Sequence, residues 1–424
     1  MQAESRHTAA NPKHVIVVGA GAVGMACALT LRREGHAVTV LDPRLPGEGA
    51  SYGNAGIIAN CSVDPIGMPG IVRRVPAMLM DPMGPLSIRW RYLPRMVPWL
   101  ARLVVASRAT RVEEISHALF SLLGNAAETW ADLIRGTDGE RYILPRGWIH
   151  TYESDAAFAA AQPVIDLRRR RGVRVEVLTP DELHQLEPAA APIFRHAVYL
   201  PDTGFVTSPV RLVGALASAF VAAEGTLLQE RVTGFNRGAY GPTSVLTERG
   251  AHPADQVVIA AGAWSRPFAA MLGSRVPLDT ERGYHVMLPT PERAPRHPLS
   301  SGERKFILVP MQGGIRITGG VEFAGLDAPA DFTRIRRMVA HARRMVPGLG
   351  DEIQSEWLGF RPSMPDSLPV IGAAPTCPGA LFAFGHGHVG LTSAASTGLI
   401  IADLVAGRTP AIDLRPFRPD RFRF

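Results

Sequence analysis

Lysine is nearly missing from this chain. Of its 424 residues only Lys13 and Lys305 are lysine, although lysine and arginine together number 45. Schiff-base and lysine-nucleophile chemistry need a positioned, deprotonable amine, so they fit poorly. Cysteine is scarce too: Cys27, Cys61 and Cys377 are odd in number, widely spaced and without a C-x-x-C pair. That argues against a disulfide framework and against structural zinc, so no metal site is expected. No apolar run approaches the ~18 residues of a spanning helix. The first dozen residues are polar and lack the apolar core of a secretory signal; residues 1–12 read as a disordered tail. A reducing, cytoplasmic compartment fits these absences. The formal charge is +7, but the arginines are scattered along the chain, a compositional skew rather than a nucleic-acid-binding stripe, and no nucleic-acid partner is expected.

What is present begins with Val15-Ile16-Val17-Val18, a β-branched run of the kind buried on both faces of a parallel sheet. It runs into Gly19-Ala20-Gly21-Ala22-Val23-Gly24. In this spacing Gly19 permits a tight turn, Gly21 lets backbone approach a pyrophosphate, and Gly24 lets the following helix pack closely on the strand. Ala26 to Arg33 reads as that helix, whose N-terminus favours an anion, and Gly35 as its C-terminal stop. A second strand, Ala37 to Leu41, ends at Asp42, where a ribose-binding acid belongs and where a 2′-phosphate is disfavoured. Because Asp42 precedes Pro43, a plain turn role is its alternative.

Further along, Glu114 to Arg135 has a helical pattern, and Thr179-Pro180-Asp181-Glu182 marks a capped helix start. Pro209 to Glu224 is an apolar-periodic helix closed by Gly225, followed by a strand around Arg231 to Phe235. Gln256 to Ile259 is a buried strand emptying into the small-residue turn Ala260 to Ser265, where backbone can pass close to a ligand. Arg304 to Val309 and Gly314 to Gly319 read as a strand pair. Between Ile71 and Arg108, seven arginines interleave with Met78, Leu79, Met80, Trp90, Trp99 and other apolar residues, with Asp81 as the only acid. Helices broken at Pro76, Pro85, Pro94 and Pro98 have two readings here: a flat contact with an anionic membrane, or ordinary amphipathic cover for a core.

The ordered set of GAGAVG, Asp42, Ser51-Tyr52-Gly53-Asn54-Ala55-Gly56, Ala261 to Ser265, Arg282-Gly283-Tyr284-His285, Gly359-Phe360-Arg361-Pro362 and Gly385-His386-Gly387-His388-Val389-Gly390-Leu391-Thr392 resembles the D-amino-acid oxidase superfamily of flavoproteins. The Asn-Ala-Gly segment and the arginine-rich insertion look most like bacterial D-amino-acid dehydrogenases. The resemblance implies an α/β fold, with a FAD-binding Rossmann-like domain (13–75, 197–268 and 356–424) interleaved with a mixed-sheet α+β substrate domain (76–196 and 269–355). It also implies FAD contacts from Gly19, Ala20, Gly21, Val23, Gly24, Asp42, Ser51, Gly53, Asn54, Ala55, Gly56, Val232, Gly262, Trp264, Gly387, Val389, Gly390, Leu391 and Thr392. No histidine falls in Ser51 to Gly56 and no cysteine lies in an attachment motif, so the FAD is expected to be non-covalent.

The same resemblance makes Arg361 the holder of a substrate carboxylate, a role suited to a bidentate, always charged fork. Its position between Gly359 and Pro362 suggests a segment too irregular for a core strand. Tyr284 is expected either to line the pocket and donate to that carboxylate, or to be a core tyrosine with a satisfied hydroxyl. His388 is the candidate for proton chemistry, although histidines between glycines equally serve to shape the flavin edge. The implied reaction is oxidation of a D-amino acid, or of a D-proline derivative, by hydride transfer from Cα to flavin N5, with electrons passed to a quinone or carrier protein. No lysine falls in a recognisable flavin motif, which favours a dehydrogenase. Such an electron outlet gives Ile71 to Arg108 a reason to touch the inner face of the cell membrane. Two alternatives stay open: a glycine or sarcosine oxidase yielding hydrogen peroxide, and a flavin subunit of a multisubunit dehydrogenase.

Overall fold

The computed structural model describes residues 11–81, 84, 86–238 and 241–422; most of the expected tail, residues 1–10, lies outside these, as does Pro85. The strand His14–Val18 is central to a six-stranded sheet, parallel to Ala37–Leu41 on one side and Gln256–Ile259 on the other. Thr226–Leu228 extends one edge, and Ala380–Phe384 with antiparallel Val370–Ala373 the other. Val15 and Val17 pack into one apolar core while Ile16 and Val18 pack into another. The strand is thus buried on both faces, as an all-apolar run in a parallel sheet must be. The first helix begins at Ala22 rather than Ala26, directly after the glycine turn, and ends at Arg33. Gly35 follows with φ +91°, its amide bonded back to the Arg32 carbonyl.

A nine-stranded mixed sheet forms the second layer. From one edge it runs Ser355–Ser363, Asp279–Leu288, Gly314–Phe323 and Phe306–Met311, all antiparallel neighbours. Arg361 therefore sits in a regular strand, not in an irregular segment. Pro362 is tolerated because that strand is the sheet's edge, where a missing N–H breaks no second ladder. Domain borders at 196/197 and 355/356 cut into strands of this sheet, His196–Leu200 and Ser355–Ser363. Hydrogen-bond ladders hold those strands to distant partners, which linear order does not display.

Other elements follow local chemistry. Thr179 accepts from the Glu182 amide while the Glu182 carboxylate accepts from the Thr179 amide, a reciprocal cap on Pro180–Leu186. The expected long helix 114–135 is two helices, Ala109–Leu123 and Ala126–Ile134, parted at Gly124-Asn125. Trp130 decides the direction of the second: its ring is buried and its Nε1 donates to the Leu391 carbonyl at 2.9 Å.

In the arginine-rich stretch, Ile71–Met80 and Leu93–Ala106 are continuous helices. Pro76 and Pro98 do not break them, and Pro94 falls in a first turn, where its missing N–H costs nothing. The inner face of Leu93–Ala106 buries Met96 and Trp99 against Phe323. The outer side of this stretch leaves Met80, Trp90, Val97, Val104 and Val105 exposed. Among the described residues no helix is long and apolar enough to cross a membrane.

Candidate active site

One long cleft runs between the two sheets, with a cavity volume of about 280 Å³. At one end lie Ala20, Gly21, Val23 and Asp42; at the other lie Arg361, His386 and His388.

At the first end, the glycines divide by task. A methyl group on Gly24 would stand 1.9 Å from the Gly19 carbonyl oxygen, and one on Gly19, itself at φ +113°, 2.4 Å from that of Ala260. Both are closed packing positions and neither lines the cleft. Gly21 is different: a Cβ there would meet nothing nearer than Ser51 Oγ at 3.5 Å, and the residue lines the cleft. The Asp42 carboxylate accepts from the Ala20 amide at 2.9 Å and the Arg44 amide at 2.9 Å. These bonds fix the acid at the cleft wall, beside an Arg44 guanidinium stacked 4.8 Å over the Trp264 ring.

The 51–56 loop is held from both sides. Ser51 Oγ accepts from the Ala22 amide at 3.0 Å, joining the loop to the first helix. Asn54 Oδ1 accepts from the Gly56 amide at 2.7 Å. From the large sheet, Arg316 Nη1 donates to the Asn54 carbonyl at 2.6 Å, and His285 Nδ1 lies 3.2 Å from the Gly53 carbonyl. Burial, reinforced by the Arg316 charge, pushes His285 down to about 3, so it is neutral. Its ring stacks on Trp357, which lies so close to Gly53 that a methyl there would overlap it at 1.9 Å. Thr392 Oγ1 accepts from the Ala59 amide and donates to the Ile57 carbonyl, tying the C-terminal glycine turn to the chain just beyond the loop.

Strand alternation builds the second end. Asp279–Leu288 pairs with Ser355–Ser363 so that Glu281 faces Arg361, Gly283 faces Gly359 and His285 faces Trp357. Side chains two apart share a face, and Gly283, Trp357, Gly359 and Arg361 all line the cleft. A Cβ on Gly283 would stand 2.3 Å from the Arg361 guanidinium carbon, so the bare glycine makes the space that the arginine fills. Among the described residues Arg361 makes one hydrogen bond, from Nη1 to the Gly320 carbonyl at 3.3 Å. Burial works to lower its affinity for its proton, opposed by Glu281. Such a guanidinium has donors left for an anion entering the cleft.

Tyr284 takes the other face. Its hydroxyl donates to Glu322 Oε2 at 2.5 Å and its ring packs in the core beneath helix Thr333–Met345. It lines a separate small pocket with Asp331 and Arg334. The core-tyrosine alternative is the one the fold adopts, because period-two alternation sends Tyr284 away from its neighbours Gly283 and His285.

Glu281 and Trp357 were missed in the sequence. Glu281 is 1% exposed, accepts from Ser363 Oγ at 2.6 Å, and lies 2.5 Å from His388 Nε2. Burial raises its carboxyl's proton affinity, but His388, Ser363 and Arg361 together hold it below the usual glutamate value. Alternation of Glu281, Gly283 and His285 could have drawn attention to it. His386 is buried, pushed down to about 3 by burial, and bonded to Thr397 Oγ1 at 3.2 Å. Gly262 and Gly387 line the cleft at φ +56° and +52°, with nothing within 4 Å of a Cβ position. Ala20, Val23, Ser51, Gly53, Asn54, Ala55, Trp264, Gly390, Leu391 and Thr392 line it as well, whereas Gly56, Val232 and Val389 do not. Val232 has its side chain in the core beneath the nucleotide sheet. A glycine-lined helix start at one end, a fixed acid beside it, and open space over Gly21, Gly262 and Gly387 fit a dinucleotide such as FAD.

Comparison with known proteins agrees with this geometry. Residues 14–404 match the family described as DAO, FAD dependent oxidoreductase. A D-amino-acid oxidase of Bradyrhizobium diazoefficiens is 40% identical over 417 residues, covering 97% of this chain and 99% of that one. A D-amino acid dehydrogenase of Paramagnetospirillum magneticum is 32% identical over 424 residues, covering 96% and 98%. In fold, the chain is similar to a glycine oxidase from Geobacillus kaustophilus, with TM-score 0.72, 24% identity and coverage of 97% and 100%. It is similar also to an L-proline dehydrogenase from P. horikoshii, with TM-score 0.74, 19% identity and coverage of 97% and 98%. The interleaved α/β fold, the dinucleotide turn and the glycine-lined cleft are those of an FAD-dependent oxidoreductase, and this chain belongs to the DAO family.

Proposed function

We propose that this enzyme oxidises a D-amino acid, a cyclic one such as a D-proline derivative included, and passes the electrons to a quinone or another carrier. The observation that supports it is Arg361, a guanidinium with one long hydrogen bond in the wall of the cleft whose far end bears the dinucleotide turn. A substrate α-carboxylate supplies the acceptors this fork lacks. In this reading Gly21 admits the FAD pyrophosphate, Gly19 and Gly24 shape the turn behind it by close packing, and Asp42 takes the adenosine ribose. The 51–56 loop, Gly262, Trp264 and residues 387–392 border the rest of the cofactor, and Val232 offers backbone to the adenine. Bound FAD supplies the two-electron acceptor. The chain's own residues orient the carboxylate, shield the reacting carbon from water, and handle the ammonium proton.

No lysine is among the described residues lining the cleft, and Lys13 Nζ instead donates to the Val405 carbonyl at 2.5 Å. This supports a dehydrogenase over an oxidase. The three cysteines are buried and none lines the cleft, which supports non-covalent FAD.

The test is an anaerobic spectrum of the purified holoenzyme with D-alanine, D-proline, cis-4-hydroxy-D-proline, glycine and sarcosine in turn. The expected result is bleaching near about 450 nm, where oxidised flavin absorbs, by a D-amino acid and not by its L enantiomer. In air the same substrate should yield well under one hydrogen peroxide per turnover, and acid precipitation should release the FAD. Reduction by glycine or sarcosine with stoichiometric peroxide would install the oxidase reading. A yellow protein that no amine reduces would point to a subunit awaiting its partners.

The peripheral membrane contact belongs to the same proposal. Trp90, Val97, Val104 and Val105 are exposed alongside exposed Arg73, Arg91, Arg95 and Arg108, the mixture of apolar and cationic side chains that partitions into an anionic interface. The protein should co-sediment with phosphatidylglycerol vesicles and not with phosphatidylcholine vesicles. Binding should weaken in high salt and in a Trp90→Ala, Val97→Ser double variant.

A further inference from the structure

We propose that Glu281 is a positioning residue that sets His388 as the acceptor of the substrate's ammonium proton, an inference that rests on the amino-acid reading above. Oxidation at Cα needs the nitrogen lone pair, and an amino acid arrives with that pair protonated. Something in the cleft has to take one proton before the C–H bond can break. Arg361 cannot, since a guanidinium stays charged, and His386 is buried with its Nε2 on Thr397.

His388 has the required arrangement. It lines the cleft on the same side as Arg361, and its side chain is 43% exposed while that of Glu281 is 1% exposed. The carboxylate lies 2.5 Å from Nε2. An ionised carboxylate only accepts, so Nε2 carries the proton and Nδ1 of the neutral ring is left as an acceptor. Among the described residues Nδ1 has no hydrogen-bond partner.

The surroundings keep Glu281 ionised. Arg361 faces it across the strand pair and Ser363 donates to its other oxygen. The second carboxylate on its own strand, Asp279, is engaged by the Tyr92 hydroxyl and its own neighbouring amide, and the Arg266 charge acts on it.

The step balances. One ammonium proton moves to Nδ1, giving an imidazolium paired with the Glu281 carboxylate. FAD held in the cleft would supply the two-electron acceptor for the pair of the Cα–H bond, and the nitrogen lone pair freed by His388 would form the C=N bond of an imino acid that water hydrolyses. The substrate carboxylate stays on Arg361 throughout.

The test uses the FAD-loaded enzyme with whichever of D-alanine and D-proline reduces the wild type. An anionic neighbour favours the charged form of an imidazole, and its removal favours the neutral form. Glu281→Gln should therefore move the acid limb of kcat/KM to lower pH, with a plateau lowered by about 10²-fold for a weaker acceptor. His388→Asn, at a half-exposed position, should abolish that limb and serves if Glu281→Gln does not fold. A readout without turnover is the binding of 2-aminoisobutyrate, which has no Cα–H, followed by the flavin spectrum. Its pH dependence should shift in the same direction in Glu281→Gln. A limb that stays in place in Glu281→Gln, or one that survives in His388→Asn, with FAD content intact, overturns the proposal. A wild type that no amino acid reduces fails the functional reading instead, which separates the two.

Discussion

Replacing Arg361 by leucine lowers kcat/KM for a D-amino acid by about 30- to 4000-fold while FAD stays bound. The size follows from removing one partner of a desolvated, hydrogen-bonded charge pair, which costs about 2–5 kcal/mol, with each 1.4 kcal/mol a factor of ten. Leucine fills most of the volume that Gly283 leaves open to the arginine, so the loss reports the missing fork rather than a collapsed wall. Arg361→Lys keeps the charge but not the two parallel donors, and falls between wild type and leucine. The effect is expected in kcat as well as KM, because the carboxylate grip aims Cα at the acceptor. Steady-state kinetics of both variants, alongside flavin absorbance and melting temperature, check this. If Arg361→Leu keeps wild-type kcat/KM, the carboxylate is held elsewhere.

Two glycines of the nucleotide turn should fail in different ways. Gly24→Ala places a methyl group 1.9 Å from the Gly19 carbonyl oxygen, and that atom is backbone in a turn with no room to yield. The first helix must lift from the strand, an overpacking cost of about 1–3 kcal/mol or more. The apoprotein is destabilised and the protein purifies colourless. Gly21→Ala adds its methyl group over the open cleft, where the nearest atom is Ser51 Oγ at 3.5 Å. Its apoprotein should melt as the wild type does, yet bind FAD far more weakly, because the methyl stands where backbone must approach the pyrophosphate. The stabilisation that bound FAD gives the fold, RT ln(1 + [L]/Kd), is then lost in both variants. Only Gly24→Ala loses apoprotein stability besides. Thermal melts with and without added FAD distinguish them, and equal apoprotein melts for both would contradict the close packing at Gly24.

The arginine-rich stretch shows how far sequence patterning reaches. Arginines and apolar residues alternate through 71–108, and the fold divides those apolar residues. Met96 and Trp99 are enclosed against Phe323, whereas Trp90 and Val97 remain outside. The fold gives this helix-rich segment an inner side that covers the core and an outer side on which apolar and cationic side chains are exposed together.

By itself the sequence determined what depends on neighbours along the chain. The β-branched run, the glycine turn, the first helix, Asp42 at the end of the next strand and the Thr179 cap are local, each set by spacing of a few residues, and each is in place. Only the tertiary structure decided which of Glu281, Tyr284 and His388 share a surface. Strand register is fixed by hydrogen bonds to residues far along the chain, and a shift of one position exchanges the two faces. Register sets Glu281 opposite Arg361 and turns Tyr284 towards Glu322. It also brings a carboxylate 107 positions distant onto the ring of His388, a pairing that no local spacing contains.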